Sequence, residues 1–182
     1  MDVGLDIPQQ AFVLRLNERL PAAKQGGVVG VGWCDARDLD KLHDWESFKL
    51  ILKNAGYGDS ERALGNAAGS LWRFFVTMRK GDILVIPSPD SGFYLASVEG
   101  NVFYDEAGRS SDFAWKRPVR WLNDQPIPRS FARNELQMRM KARQTCVDAT
   151  DLLMEIRETQ QRKTPIDFGD EVLQGAYASV VK

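Results

Sequence analysis

The residues best suited to chemistry stand together in the stretch "GVVGVGWCD", residues 27–35. Its glycines could form a loop that binds phosphate groups, and Cys34 could act as a nucleophile. Alternatively, the valines could form a strand that carries the ring of Trp33 to a binding pocket. Each of these chemistries needs further residues elsewhere in the chain, so the rest of the sequence discriminates between them.

The glycine spacing does not fit a nucleotide-binding loop. Gly30 and Gly32 are spaced like the first two glycines of the dinucleotide fingerprint, but Asp35 occupies the position of the third. A carboxylate at that position would repel a pyrophosphate. The chain also contains no Walker A motif. We therefore expect neither dinucleotide binding nor NTP hydrolysis, and no cofactor.

Catalysis by Cys34 would need a neighbouring base, and His43 is the only histidine of the chain. We expect His43 to lie in an amphipathic helix, where a structural imidazole is the commoner outcome. Cys34, Cys146 and His43 are too few for a structural zinc site. The aspartates of residues 35–44 have the spacing of a helix start, where they complement the helix dipole. The sequence therefore predicts no catalytic residue, no metal ligand and no enzymatic activity.

The charge distribution favours a partner that carries phosphate groups. The net charge is -1 over 182 residues, but residues 109–143 contain nine basic residues and three acidic ones. Such a patch attracts a phosphate backbone, although a solvated face is the simpler alternative. No stretch is apolar enough to span a membrane, and the N-terminus lacks the pattern of a signal peptide. We expect a cytoplasmic protein without a membrane partner.

Hydrophobic periodicity predicts a mixed α+β domain. Expected helices cover residues 7–20, 35–56, 60–78 and 148–162, and Gly65 and Asn66 interrupt the third. Expected strands cover residues 26–33, 83–87, 92–100, 101–105 and 117–122, with the second and third as an antiparallel hairpin. The glycines of the first strand suggest a central strand that neighbouring chain segments approach closely.

The order of four motifs resembles the EVE and YTH-like branch of the PUA-type fold. These motifs are "GVGWCD" followed by a helix, "GNAAGSLWRFFVTMRKGDILVI", "GFYLASVEGNVFYD" and "FAWKRPVRWLNDQPIP". The resemblance covers residues 27–147 and implies a small curved sheet or open β-barrel flanked by helices. It divides the chain into an N-terminal helical extension (1–26), an EVE/YTH-like nucleic-acid-binding core (27–147), a C-terminal helix (148–162) and a tail or linker (163–182).

Proteins of this branch bind a modified base in an aromatic cage, so the resemblance implies roles for individual residues. Trp33 is expected to form the first wall of the cage, with Cys34 and Asp35 at its rim. Further base contacts are implied for Asn66, Ser70 and Trp72 on the bordering helix, while Tyr104, Phe113 and Trp115 compete for the opposite wall. Implied phosphate contacts are Arg73, Lys80, Arg109, Lys116 and Arg117. Each aromatic residue has the alternative of packing in the core, and Asn66 has that of capping a helix.

The resemblance thus implies a non-catalytic reader of a modified base in DNA, similar to the specificity modules of modification-dependent restriction endonucleases. We expect a partner DNA that carries a methylated or hydroxymethylated base, and any nuclease activity to belong to a fused or associated domain. One alternative is a modified-RNA-binding module of the same fold. Others are a small-molecule or nucleotide-binding enzyme that uses the same pocket, and a domain that makes only protein contacts. The sequence leaves the modification and the oligomeric state open.

Overall fold

The computed structural model describes residues 7–167. Their strands are β1 (Ala11–Leu14), β2 (Val28–Val31), β3 (Ile83–Pro87), β4 (Gly92–Val98), β5 (Phe103–Tyr104), β6 (Trp115–Trp121), β7 (Ile127–Pro128) and β8 (Cys146–Asp148). Their α-helices are α1 (Leu20–Gly26), α2 (Trp45–Asn54), α3 (Glu61–Trp72), α4 (Asn134–Met140) and α5 (Leu153–Gln161). A π-helical turn, Arg73–Thr77, continues α3.

The strands form one strongly curled sheet, a half-barrel flanked by helices. Its order is β2-β6-β4-β3-β1-β8, while β5 also pairs with β6 and β7 with β4. Strand β1 runs parallel to β3, and β3 and β4 form the predicted antiparallel hairpin. The mixed α+β class with a small curved sheet is therefore confirmed. Strand β2 lies at one end of this order, so the prediction of a central strand there is wrong.

The sheet separates two apolar cores. Along β1, Phe12 and Leu14 face the core that includes α2 and α3, whereas Ala11 and Val13 face the core that includes α4 and α5. This alternation follows from the twofold periodicity of side chains along a strand. All four side chains are almost completely buried. A strand buried on both faces is nearly continuously hydrophobic in sequence, as β1 is.

The helix predicted over residues 7–20 is wrong. Phe12, Leu16 and Leu20 have a helical spacing, but pairing with β3 and β8 draws residues 11–14 into the sheet. Helix α1 begins only at Leu20, with Pro21 in its first turn, where a missing backbone N–H costs no hydrogen bond. The segment predicted as a helical extension therefore contributes an interior strand.

Two helices begin at side-chain caps. Asp44 accepts a hydrogen bond from the backbone N–H of Ser47 at 2.8 Å and starts α2, nine residues after the start of the helix predicted over residues 35–56. Ser60 accepts one from the N–H of Ala63 at 3.1 Å and starts α3. Helix α3 then runs through Gly65 and Asn66 without the predicted interruption. Both helices pack against the same core, with Phe48 and Leu52 of α2 and Leu64 and Leu71 of α3 buried in it.

Within residues 7–167 no helix is long and apolar enough to cross a bilayer. The C-terminal helix is present as α5, preceded by a 3-10 turn at Thr150–Leu152. Most of the tail predicted at 163–182 lies outside the described residues. The division of the chain into four segments stays a prediction.

Candidate functional site

Trp33 lies directly after β2 in an unusual backbone conformation. Its φ is +59°, in the left-handed region that bulky side chains rarely adopt. Its carbonyl accepts a hydrogen bond from the N–H of Ala36 at 3.0 Å, so the chain turns sharply at this residue. Such a conformation costs about 1–3 kcal/mol and persists only where the surroundings enforce it. The turn keeps the indole half-buried at the edge of the core.

The glycines before Trp33 allow close packing. A Cβ atom on Gly30 would lie 2.5 Å from the ring of Phe113 and 2.5 Å from the carbonyl oxygen of Trp115. A Cβ atom on Gly32 would lie 2.2 Å from a carboxylate oxygen of Asp112. The close approach predicted for this strand is therefore confirmed. It brings the 112–115 segment against β2 and places Asp112 next to Trp33.

Trp33 borders an open hollow of about 250 Å³, which we call the Trp33 hollow. Its lining residues come from five separate parts of the chain: Arg19, Trp33, Tyr57, Asp112 and Thr145. Tyr57 supplies a second aromatic ring. Its hydroxyl oxygen accepts a hydrogen bond from the backbone N–H of Asp35 at 3.3 Å, which ties this ring to the turn that carries Trp33. Burial raises the pKa of the Tyr57 hydroxyl, so this group stays neutral near pH 7.

The polar groups of the Trp33 hollow include an ion pair. A guanidinium nitrogen of Arg19 lies 3.0 Å from a carboxylate oxygen of Asp112, and the Asp112 side chain is 57% exposed. The Nε atom of Arg19 is buried and has no hydrogen-bond partner among the described residues. The hollow therefore combines two aromatic rings with hydrogen-bond donors and acceptors, the arrangement that orients a flat polar heterocycle.

Cys34 lies beside the hollow but does not line it. The side chain is 4% exposed, and burial raises the pKa of its thiol, with the Asp112 carboxylate adding to the effect. A neutral, buried thiol is a poor nucleophile. Asp35 is exposed and accepts a hydrogen bond from the Arg109 guanidinium at 3.0 Å. Cys34 is therefore buried beside the hollow, and neither residue lines it.

Two of the aromatic residues expected to form the opposite wall hydrogen-bond to the turn that carries Trp33. The Tyr104 hydroxyl donates to the carbonyl of Cys34 at 3.0 Å, and the Trp115 indole donates to the carbonyl of Ala36 at 3.2 Å. Phe113 and Trp115 are 4% and 2% exposed. Tyr104 and Trp115 line a separate open cavity of about 400 Å³, and none of the three residues lines the Trp33 hollow, where Tyr57 supplies the second ring.

The α3 residues also lie outside the lining of the Trp33 hollow. Asn66 is exposed in the middle of α3 and caps no helix end, and Ser70 is 2% exposed. Trp72 packs edge-to-face on Trp45 and Phe48, with ring centroids 5.5 Å away in both pairs. Its spacing with Phe75 on one helix face fits this core position. We therefore leave these three residues out of the base-binding set.

The basic residues expected to contact phosphate differ in availability. Lys80 and Arg109 are exposed, whereas Arg73 donates to the carbonyl of Cys146 at 3.1 Å and Lys116 pairs with Asp105 at 2.5 Å. Lys80 has no ion pair among the described residues, whereas Arg109 already pairs with Asp35 at 3.0 Å and with Glu106 at 3.7 Å.

Arg117 has a structural position. It is 3% exposed, and its guanidinium donates to the carbonyls of Phe74 at 2.8 Å, Phe75 at 3.3 Å and Gly100 at 3.0 Å. Burial lowers its pKa to about 10, so it stays charged at neutral pH. Two of these carbonyls belong to the π-helical turn, whose backbone Arg117 satisfies. We therefore leave Arg117 out of the phosphate contacts.

Sequence reasoning missed Arg19, Tyr57, Asp112 and Thr145. Tyr57 stands between Gly56 and Gly58, whose φ angles are +85° and +97°. An aromatic residue between two glycines just after a predicted helix indicates a fixed turn, and this is the local signal that could have pointed to Tyr57. Arg19 and Thr145 carry no such signal, because only the sheet brings them to Trp33. Among residues 7–167 no group of three or more His, Cys, Asp or Glu side chains is placed to hold a metal ion.

Residues 17–148 match the family model described as "Domain of unknown function (DUF8426)", and the chain belongs to this family. No curated protein matches this chain. Solved structures that match include the Pho92 YTH domain in complex with m6A, with 12% identity, a TM-score of 0.48, and coverage of 92% of this chain and 97% of that chain. The YTH domain of the Zygosaccharomyces rouxii MRB1 protein, in complex with N6-methyladenosine RNA, has 13% identity, a TM-score of 0.46 and coverage of 92% and 97%. The Toxoplasma CPSF4-YTH domain in apo form has 15% identity, a TM-score of 0.46 and coverage of 92% and 95%.

Proposed function

We propose that this chain is a non-catalytic reader of a modified base in nucleic acid, and that the base enters the Trp33 hollow. The observation that carries the proposal is the position of Trp33 and Tyr57 on one open hollow of about 250 Å³, with Trp33 held there by a left-handed backbone. That volume exceeds the volume of a single nucleobase. The hollow therefore accepts one base that has left its stack, together with a small substituent.

Stacking and apolar burial supply the affinity in this proposal. A base that leaves its neighbours loses stacking, and contact with an aromatic side chain returns about 1–3 kcal/mol. A methyl group buried against the rings adds about 0.8 kcal/mol. Arg19 offers donors and Asp112 offers acceptors to the polar edge of the base. The modified base is thus preferred over the plain one by its extra apolar surface.

The finer form of the proposal is that the nucleic acid is DNA carrying a methylated or hydroxymethylated base. In this form the chain is the specificity module of a modification-dependent restriction system in the cytoplasm, and a fused or associated nuclease cuts the DNA. This form is supported by the order of the sequence motifs alone. Modified RNA is the competing substrate, and the experiment below separates the two.

The test is a binding screen with matched DNA and RNA oligonucleotides. Each contains methylcytosine, hydroxymethylcytosine, N6-methyladenine or the corresponding plain base, and each is measured at several salt concentrations because phosphate contacts make affinity salt-dependent. We expect one modified base to bind more tightly than its plain counterpart, with a ratio that changes little with salt. Equal affinity for every modified and plain pair would contradict the proposal, whichever sugar the strand carries.

A further inference from the structure

A second and larger cavity lies on the other side of the 3-10 turn Asn17–Arg19. It has a volume of about 670 Å³ and is lined by residues near the ends of β1 and β3 and by β4. We call it the Arg129 cavity. Pro21, Pro87 and Pro89 give it a rigid apolar wall, and Tyr94 adds an aromatic ring. Its size and mixed lining suit a ligand with both an apolar ring and a charged group.

The positive groups of this cavity include two arginines with unused hydrogen-bonding capacity. Arg15 donates through one terminal nitrogen to the carbonyl of Met140 at 2.9 Å, but its buried Nε has no partner among the described residues. The Nε of Arg129 is likewise buried and unpartnered. No hydrogen bond or ion pair within residues 7–167 engages the Arg129 side chain. Glu18 and Asp90 also line the cavity, and both are exposed to solvent. Because the two Nε atoms are buried, the terminal guanidinium nitrogens are the donors that can reach a ligand in the cavity.

Lys24 holds the aromatic part of the cavity in place. Its ammonium donates to the carbonyls of Asn123 at 3.4 Å and Asp124 at 3.0 Å and lies 3.9 Å from the centroid of the Tyr94 ring. Lys24 is therefore committed to protein groups. The two arginines are the cations left for a ligand.

Two segments connect the Arg129 cavity to the Trp33 hollow. Asn17 and Glu18 line the cavity, while the next residue, Arg19, lines the hollow. Thr145, which lines the hollow, accepts a hydrogen bond through its carbonyl from the N–H of Arg15 at 2.9 Å. The two sites therefore adjoin the same turn, at the neighbouring residues Glu18 and Arg19.

We propose that the Arg129 cavity binds the nucleotide next to the base in the Trp33 hollow, an inference that rests on the proposed function. Arg15 and Arg129 bind its phosphodiester group, and the proline wall and Tyr94 contact its sugar and base. Arginine suits this role because its fork of donors matches phosphate oxygens. The phosphodiester is common to DNA and RNA, so the cavity adds affinity for a strand of either kind without reading its sequence.

The experiment compares ligands of two lengths on three proteins. The ligands are the modified nucleosides methylcytidine, hydroxymethylcytidine and N6-methyladenosine, in ribose and deoxyribose forms, and trinucleotides with the same base in the centre. The proteins are the wild type, Arg129→Gln and the control Arg120→Gln. Arg120 lines neither cavity, is 66% exposed and pairs with Glu99 at 3.4 Å. Calorimetry gives each Kd at two salt concentrations, and a thermal melt establishes that each variant is folded.

We expect the trinucleotide to bind the wild type about tenfold more tightly than the nucleoside. Arg129→Gln loses most of that gain and lowers the salt slope by about 0.7, but keeps the nucleoside affinity. Arg120→Gln behaves like the wild type. The assignment is overturned if the nucleoside binds the wild type but the trinucleotide binds no more tightly. It is also overturned if the trinucleotide gains as much affinity on Arg129→Gln as on the wild type. Failure of every modified nucleoside to bind contradicts the proposed function itself, and the assignment falls with it. Comparison of the ribose and deoxyribose trinucleotides shows whether an RNA or a DNA strand gains more affinity from the cavity.

Discussion

Tyr57 and Trp33 line the same hollow, and the Tyr57 hydroxyl accepts a hydrogen bond from the backbone N–H of Asp35, only two residues beyond Trp33. Helix α2 lies between the two residues along the chain, so the helix returns the second ring to the turn that carries the first. Trp33 alone would be a tryptophan at the edge of a core. The pairing with Tyr57 gives the hollow two aromatic surfaces.

Removal of the Trp33 ring is expected to abolish the preference for modified bases. Trp33→Ala should lower the affinity for the modified base by between about fivefold and about a hundredfold, since one stacking contact contributes about 1–3 kcal/mol, and should remove the roughly fourfold modified-to-plain ratio that about 0.8 kcal/mol of methyl burial supplies. Trp33→Phe should keep part of the preference because it keeps a ring. The matched control is Trp45→Ala, which removes a tryptophan that is 37% exposed and lies outside the hollow. Fluorescence anisotropy measures the ratios, and a preference that survives Trp33→Ala would place the base elsewhere.

The glycines of β2 should differ in their tolerance of a methyl group. Gly30→Ala is expected to lower the free energy of unfolding by about 1–3 kcal/mol, because the new Cβ meets the Trp115 backbone and the Phe113 ring. Gly32→Ala should cost less, since the Asp112 side chain can swing away, but it should weaken base binding. Gly65→Ala in α3 meets nothing within 4 Å and should stabilise the helix by about 0.5–1 kcal/mol. Urea denaturation of the three variants gives the order, and equal effects would contradict this packing.

Arg117 is expected to stabilise the fold and not to bind phosphate. Arg117→Met removes the donor from three backbone carbonyls and should lower the free energy of unfolding by about 2–4 kcal/mol. At a temperature where the variant is folded, its binding should keep the salt dependence of the wild type. A lower salt slope with unchanged stability would instead restore Arg117 to the phosphate contacts.

The thiol of Cys34 is expected to have low reactivity in the folded protein. Burial raises the pKa of its thiol, so alkylation by iodoacetamide at pH 7 should be slow until the protein unfolds. Cys34→Ser should change the affinity for a modified base by less than about twofold, because the side chain does not line the hollow. Rapid alkylation of the folded protein, or substrate turnover that Cys34→Ser abolishes, would favour the enzyme alternative.

The stability of the chain should fall in acid partly through Glu155. Burial alone would raise the pKa of this carboxyl, but hydrogen bonds from Arg162 and from the N–H of Arg133 outweigh burial and hold the pKa below its ordinary value of 4.5. A depressed folded-state pKa stabilises the protein above the unfolded-state value, and this contribution is lost as the pH falls through the folded-state value. Glu155→Gln should therefore lower the free energy of unfolding by about 1–3 kcal/mol at pH 7. The difference should shrink below pH 4.5. A difference that is constant with pH would contradict this linkage.

The sequence was sufficient for the elements whose signals are local. The β3–β4 hairpin follows from two apolar runs around a turn rich in Ser, Pro, Asp and Gly, and the role of Gly30 and Gly32 follows from small residues in a β-branched strand. Strand β1 could not be predicted from the sequence, because its residues also fit one face of a helix. Only long-range pairing with β3 and β8 decides their conformation.

The site shows the same division between local and long-range information. The aromatic residue at the end of β2 was recognisable from its position in the motif. Its ring partner was not, because the backbone N–H of Asp35 and the two left-handed glycines around Tyr57 fix that side chain in three dimensions. Tyr104, Phe113 and Trp115 belong to the motifs around the site but do not line the hollow, and Tyr104 and Trp115 hydrogen-bond to the backbone after Trp33. A linear motif cannot distinguish the two sides of a turn.

NMR of the protein labelled at tryptophan indole nitrogens tests base binding in the Trp33 hollow most directly. The five tryptophans give five indole N–H signals, and Trp33→Phe identifies the one from Trp33. On titration with the modified nucleoside that binds best, the Trp33 signal should move through the ring current of the stacked base while the Trp45 signal stays in place. Saturable binding of that nucleoside with an unmoved Trp33 signal would show that the base binds outside the hollow.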